Sequence, residues 1–600
     1  MDQQSGERVK LKKHKVGNSD EILTAGTYPS AVKTVTIAVN DDSDNFNSSP
    51  TAINSGTERV AAIDYAGDVD CFSFTPQETG SYKIYSSGSV DLKGILYEND
   101  KKTAIGTSYN APESINFKLA RTLEKNKTYY IRVDAEINGA TGRYSINIEK
   151  IDEPNDTYFG DQWALCNKGS ISTANGDIST RVGYDINVLP VWEYTKGKDI
   201  LVGVIDTGVD YEHDDLTDNL KLPGIDTVHN TTDVFPTNEK TLYDIYGNER
   251  LTTAVCGHGT HVSGIISAVG NNNKGISGVA PNAKILPIKA LGNPLIGEDS
   301  EENLSTSDNL LTGIKFAINN NAKIVNMSIG GYDSINSIEE TINSASNILF
   351  VVSAGNSSKD LSVDDTKYEY PAMYNCDNMI IVAAMNYNGN LCNFSNYGGP
   401  TQIAAPGDVI LSTFATTKTY YRFSGGTSMA APHVSGVAAL IWSYYKDLTA
   451  AQVKQRIISP NNVSYSNKLD GKVSSNGCLN AWYAFSNDSA SPRKIPKRES
   501  LLNEIQKRKE RIAEIKSKKP DNEKTTGIFV KSLNDNCINI LNECLSSYKY
   551  EIVKQYDMTG IYLLEFDSIE HADEAINLLN ARSDIKFAEP NYVLTLGGDY

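Results

Sequence analysis

"FSGGTSMAAPHVSGVAALIW" (423–442) places two adjacent glycines and a Thr-Ser pair in front of a long apolar run with helical character. Ser428 therefore sits at a Gly-rich turn into a helix. The ordinary use of a serine there is to cap the helix with its side-chain oxygen. The other use is to present its hydroxyl where a substrate can approach an uncrowded backbone. Which of the two applies depends on what the rest of the chain brings to it.

Upstream, "DILVGVIDTG" (199–208), "AKILPIKAL" (283–291), "AKIVNMSIGG" (322–331), "NILFVVSAGN" (347–356) and "NMIIVAAMN" (378–386) are near-continuous apolar runs separated by helical stretches. Runs of that kind are strands buried on both faces of a parallel sheet. Working residues of an open α/β sheet lie beyond the carboxyl ends of its strands. Asp206 ends the first run, Asn356 ends the fourth, and His258 follows a glycine in "CGHGTHVSGIISAVG" (256–270). Singly, the Asp reads as a turn acid and the His as a structural helix residue. Together with Ser428 they form the parts of a base-activated nucleophile, in which a carboxylate orients an imidazole that takes the hydroxyl proton. Asn356 adds an amide donor for an oxyanion, alongside the backbone N–H of Ser428.

The motifs "VIDTGVD" (204–210), "GHGTHVSG" (257–264) and "GGTSMAAPHVSG" (425–436), in that order, resemble the subtilisin-like serine proteases of the peptidase S8 family. The resemblance covers 153–486 and implies a serine endopeptidase with a parallel-sheet α/β catalytic domain. It implies Asp206 as orienting acid, His258 as general base and then acid, Ser428 as nucleophile and Asn356 as oxyanion donor. His261 is then structural. No motif position is replaced, which weighs against the alternative of a catalytically silent subtilisin-fold binding or scaffold protein.

The same likeness implies an extended polypeptide substrate between two strand-like walls, "NMSIGG" (326–331) and the loop before Cys256, with Ser328, Ile329, Gly330, Ala354 and Gly355 lining the pocket before the cut. Glu369, just before "YPAMY", falls where the family closes that pocket, so its carboxylate is expected either to favour basic residues or to be solvated. Structural calcium is also implied. "EPNDTYFGDQW" (153–163) looks like a thermitase-type start, and "AVGNNNKGISG" (268–278) resembles the family's calcium loop. The implied ligands are Asp156, Asp215 and Asn272 with carbonyls at Val269, Lys274 and Ile276; an Asn/Gly-rich turn without metal is the other reading. The thiol of Cys256, two residues before His258, either crowds the site or is buried and inert.

On either side the pattern changes. After a polar leader (1–34), residues 35–152 carry short β-like runs such as "VDCFSFTP" (69–76) and "KTYYIRVDAE" (127–136), spaced by Gly, Asn and Asp turns. They read as an all-β sandwich and resemble the pre-peptidase C-terminal-type domain. Asp68 and Asp70 are expected to be turn and strand-edge acids rather than cation ligands. Residues 487–523 form a basic linker with helical spacing. Residues 524–600 follow the order βαββαβ of an α+β ferredoxin-like fold, and "FAEPNYV" (587–593) resembles the inhibitor I9-type propeptides. Such propeptides precede the enzyme, whereas this domain follows it. The likeness implies inhibition in cis or trans, with Gly597, Gly598, Asp599 and Tyr600 as an inhibitory tail in the cleft.

A net charge of −18 argues against nucleic-acid binding. No run approaches the ~20 apolar residues that cross a bilayer. Eight cysteines lack paired metal-type spacing, so neither zinc nor a disulfide framework is expected. "MDQQSGERVKLKKHKVGNSD" has no apolar signal core. A secreted or cell-surface location is expected from the likeness, with a cytoplasmic or spore-associated one as the alternative.

Overall fold

A computed structural model describes residues 10–16, 20–26, 39–40, 50–112, 114–137, 140–243, 249–255, 257–292, 305–330, 334–363, 369–415, 418–487, 524–533, 536–556 and 559–594; for 10–40, 237–255, 524 and 593–594 only the backbone is described. Cys256, the basic linker after Asn487 and the tail residues Gly597, Gly598, Asp599 and Tyr600 lie outside the described residues. Two compact units divide the chain between Ile151 and Asp152.

In the first unit, strand Leu92–Tyr97 buries every second residue, as a half-solvated strand must. A four-stranded and a five-stranded sheet hold the strands between Thr51 and Lys150. Their inner faces share a core that includes Phe72, Leu92, Phe117, Ile131 and Ile148. Asp68 accepts the N–H groups of Asp64 and Val69, and Asp70 accepts the Tyr144 hydroxyl, so both acids serve the local strands. Within the stretch read as a polar leader, Lys10–Val16 pairs antiparallel with Asp20–Gly26.

The second unit holds the apolar runs as strands β1 (Leu201–Asp206), β2 (Lys284–Lys289), β3 (Ile324–Met327), β4 (Leu349–Ser353), β5 (Met379–Met385) and β6 (Ile403–Pro406). They lie parallel in the order β2-β1-β3-β4-β5-β6, extended by short edge strands to nine. Chain order reverses between β1 and β3, the kind of crevice where open α/β sheets place ligands. Helices α1 (His258–Ser267), α2 (Ser307–Asn319), α3 (Asn336–Ser344) and α4 (Thr427–Tyr444) are attached to this sheet. Helix α4 is buried from Met429 to Trp442 and packs on β3, β4 and β5, which explains why its sequence is apolar all round.

The last stretch of this unit contains β7 (Lys524–Ser532), α5 (Cys537–Cys544), β8 (Tyr550–Tyr556), β9 (Ile561–Phe566), α6 (Ile569–Asn580) and β10 (Ile585–Leu594). The antiparallel sheet runs β10-β7-β9-β8, and Val593 and Leu594 continue it by pairing with Thr306 and Ser305 beside α2. This sheet packs on the helices of the larger one. Leu311 of α2 enters an apolar cluster with Phe529, Tyr556, Ile561, Leu563 and Phe587.

Candidate active site

Asp206 is the last residue of β1 and 1% exposed. His258 opens α1, and its Nδ1 lies 2.7 Å from Asp206 Oδ1. The approach depends on Gly259, where a Cβ would come within 2.2 Å of the Gly208 carbonyl oxygen and 3.0 Å of Asp206 Cβ. A glycine after the histidine is thus what lets the helix start reach the strand end. Asp206 Oδ1 also accepts the Thr207 N–H at 2.8 Å, which fixes the carboxylate plane.

Ser428 is half-buried in the first turn of α4 and donates its hydroxyl to the Ser328 carbonyl at 3.3 Å, while Ser328 Oγ donates back to the Ser428 carbonyl at 2.8 Å. This reciprocal pair ties the helix start to the loop after β3. Asn326 supports it from beneath, donating Nδ2 to Ser328 Oγ and accepting from Ser435 Oγ.

Asn356 follows β4. Its Oδ1 accepts both the N–H and the hydroxyl of Thr427, each at 2.9 Å, so the amide nitrogen is turned the other way. That nitrogen and the Ser428 N–H nitrogen lie 3.5 and 3.7 Å from a single point, the position of a Cβ on Gly426. Both nitrogens thus border the space that a side chain on Gly426 would take. Among the residues expected to line the pocket, Ser328 and Ile329 are buried after β3, Gly330 faces the Tyr370 carbonyl, and Ala354 and Gly355 lead into Asn356. Glu369 is neither solvated nor an open charge. It is 6% exposed, paired to Lys359 at 2.9 Å, and accepts from Asn396 Nδ2 at 2.7 Å.

His261 is fully buried with Nε2 against the carbonyls of Ile410 and Arg422, and burial depresses its pKa to about 3. It is a structural imidazole one turn from the site. Thr427, Asn396, Lys359 and Asn326 were not picked out from the sequence. Thr427 and Asn326 sit inside the stretches 425–436 and 326–331 but read there as cap and strand end, Lys359 and Asn396 read as ordinary loop, and the structure sets Thr427 on Asn356, Asn326 on Ser328, Asn396 on the residues flanking Asn356 and Lys359 on Glu369.

On the far side of α1, Asp156 and Asp215 meet the 269–276 loop. Burial raises the Asp156 carboxyl above its usual range against hydrogen bonds from the N–H groups of Asn271 and Asn272, and the Asp215 charge raises it further. Asp215 accepts from Asn272 Nδ2, the Ile276 N–H and the Tyr421 hydroxyl. Among the described residues no three His, Cys, Asp or Glu side chains converge as a metal centre. Carbonyls of Val269, Lys274 and Ile276 accept no hydrogen bond among the described residues, so they are available as oxygen ligands. Two adjacent carboxylates with neutral oxygens fit calcium by type. A bound ion would compete with the Asn272 and Tyr421 donors that Asp215 now accepts.

Residues 197–477 match the model of the subtilase family. Subtilisin DY of Bacillus licheniformis is 36% identical over 266 residues, covering 44% of this chain and 84% of that protein. The chain belongs to the subtilase family. This subtilase is similarly related to thermitase of Thermoactinomyces vulgaris (37% over 254 residues; 42% of this chain, 78% of that one). It also resembles the major intracellular serine protease of Bacillus subtilis (36% over 275 residues; 44% and 78%). It is a subtilisin-like serine endopeptidase, and polypeptides are its substrate class. Among the described residues no helix of this subtilase is long and apolar enough to cross a membrane.

Proposed function

We propose that Asp206, His258, Ser428 and Asn356 cleave peptide bonds by an acyl-enzyme route. The observation that carries this reading is the 2.7 Å contact between His258 Nδ1 and Asp206 Oδ1, with the Asn356 amide oxygen held by Thr427 at the start of the helix that bears Ser428. Ser428 Oγ turns from the Ser328 carbonyl, attacks the scissile carbonyl carbon, and passes its proton to His258 Nε2. Asp206 holds the resulting imidazolium through Nδ1. The carbonyl oxygen, now an oxyanion, accepts from Asn356 Nδ2 and Ser428 N. Collapse breaks the C–N bond as His258 protonates the leaving amine; water repeats the sequence and frees Ser428. A fluorophosphonate that labels the wild-type chain but not Ser428→Ala tests the assignment. Because an occupied cleft would also block the reagent, a chain lacking residues 524–600 is labelled in parallel; failure of both wild-type forms to react at Ser428 would overturn the assignment.

The C-terminal domain, residues 524–600, acts in this reading as an inhibitor held on its own enzyme. Its support is the way β10 caps the two surface helices. The Glu589 carboxylate accepts the Asn336 and Ser337 N–H groups at the start of α3, both at 2.7 Å. Asn591 Oδ1 accepts the Asp308 N–H at 3.0 Å and the Ser307 hydroxyl at 2.9 Å at the start of α2. Unpaired N–H groups and the positive end of the helix dipole favour such acceptors. In this reading Gly597, Gly598, Asp599 and Tyr600 enter the cleft. Covalent linkage through residues 487–523 raises the domain's effective concentration.

Calcium, in the same reading, is a structural ion held by Asp156, Asp215, Asn272 and the carbonyls of Val269, Lys274 and Ile276. Its chemistry would be to join the domain's first segment to the 269–276 loop. A chelator should then lower the melting temperature.

A further inference from the structure

We propose that Asn396, anchored by Glu369 and Lys359, is the positioning residue for the oxyanion loop. The inference rests on the reading of Asn356 as oxyanion donor. Asn396 is fully buried in "NFSNYGG" (393–399) and spends both side-chain polar atoms and its backbone N–H on one short segment or its anchor. Its Nδ2 donates to the Ala354 carbonyl at 2.9 Å and to Glu369 Oε2 at 2.7 Å. Its Oδ1 accepts the N–H groups of Ser357 at 3.1 Å and Lys359 at 2.9 Å. Its own N–H donates to the Gly355 carbonyl at 2.9 Å. Residues on both sides of Asn356 are thereby bound to one side chain.

The backbone at Gly355 lies directly on this network. A Cβ there would come 2.4 Å from Asn396 Nδ2 and 2.6 Å from Glu369 Oε2, and its φ of +98° belongs to glycine. Glu369 is in turn held by Lys359 at 2.9 Å, a residue of the same loop whose N–H Asn396 already holds. The network is closed: loop to Asn396, Asn396 to Glu369, Glu369 to Lys359, and Lys359 back to the loop.

An oxyanion donor contributes most when it needs no reorganisation as charge develops, and misplacement of a catalytic group by about 1 Å can cost about 100-fold in rate. Thr427 fixes the Asn356 side chain from one side, and Asn396 fixes its backbone from the other. Glu369 therefore contributes to kcat through Asn396. Its Lys359 partner removes the free negative charge that would have selected a basic residue before the cut.

The test uses the full chain and short peptide substrates with Arg, Tyr or Leu before the bond, with kcat normalised by fluorophosphonate titration taken to completion. Asn396→Ala is expected to lower kcat about 10- to 100-fold for all three peptides, with KM within about twofold. The same loss should not add to that of Asn356→Ala in the double variant. Glu369→Ala should lower kcat in the same direction, and Glu369→Gln, which still accepts from Asn396 Nδ2, should restore most of it. If Asn396→Ala does not fold, the Glu369 pair carries the comparison. Additive losses, a loss confined to KM, or a loss confined to the Arg peptide overturns the proposal. Should Asn356→Ala itself leave kcat unchanged, the oxyanion reading fails first; an effect of Asn356→Ala without one from Asn396→Ala leaves that reading intact and removes only the positioning role.

Discussion

At the scale of single residues, the chemistry depends on which atom each side chain has left to use. Asn356 spends its oxygen on Thr427, and in the proposed mechanism its N–H₂ is the group that meets the substrate. Removing one such donor in a subtilisin-type enzyme costs about 10²–10³ in kcat, and Asn356→Ala is expected to show a loss of that order with little change in KM in steady-state peptide hydrolysis. Buried histidines make a second prediction. Burial holds His261 and His433 neutral down to about 3 and about 4, well under their ordinary value of 6.5. The unfolded chain thus binds more protons between pH 6.5 and 4, so stability falls as pH drops through that window, by up to about 1.4 kcal/mol per pH unit for each group. His433→Gln should flatten the decline of melting temperature over this range. A slope as steep as the wild type's would remove His433 from the account.

Elements meet at their ends in this molecule. The starts of α2 and α3 present N–H groups that their own turns cannot satisfy, and Asn591 and Glu589 of β10 satisfy them. Lys531 and Lys586 pair with Glu340 of α3, and Lys554 with Asp308 of α2. Glu589→Ala would remove the acceptor of both amides and leave the buried Ser337 N–H without it, at about 1–3 kcal/mol. Hydrogen exchange should report faster exchange at the Asn336 and Ser337 amides, and peptidase activity of the full chain should rise. Unchanged protection at both amides would count against the capping role of Glu589. Glu340 adds a pH term: its burial is outweighed by the two lysines, which hold the carboxyl below its usual range. That contribution is present at neutral pH and lost in acid as the carboxyl takes its proton.

For the whole molecule, the consequence of a sheet resting on two helices is that the terminal domain and the enzyme share surface. Leu311 is buried among Phe529, Tyr556, Ile561, Leu563 and Phe587, and one such side chain contributes about 1.5–3 kcal/mol when fully buried. Deleting residues 524–600 is expected to raise peptidase activity while lowering the melting temperature, measured on the same preparation. An enzyme unchanged in both would refute inhibition by this domain. Chelation tests the other end of the unit. If calcium joins Asp156 to the 269–276 loop, a chelator lowers the melting temperature and added calcium restores it; no shift favours a turn held by hydrogen bonds alone.

Sequence by itself determined the parallel sheet, because strands buried on both faces must be apolar throughout, and it determined the acid, imidazole, hydroxyl and amide at strand and helix ends, because their motifs are local. It also made the βαββαβ order of the last stretch legible, since periodicity and turns are local properties. The tertiary structure alone decided the environment of Glu369. Whether a carboxylate selects a substrate charge or holds a loop depends on Lys359 and Asn396, which reach it only after folding. The same holds for the docking of β10. Glu589 and Asn591 read as a polar pair near the end of a strand, and became helix caps because the fold set the starts of α2 and α3 in front of them, more than 250 residues away along the chain.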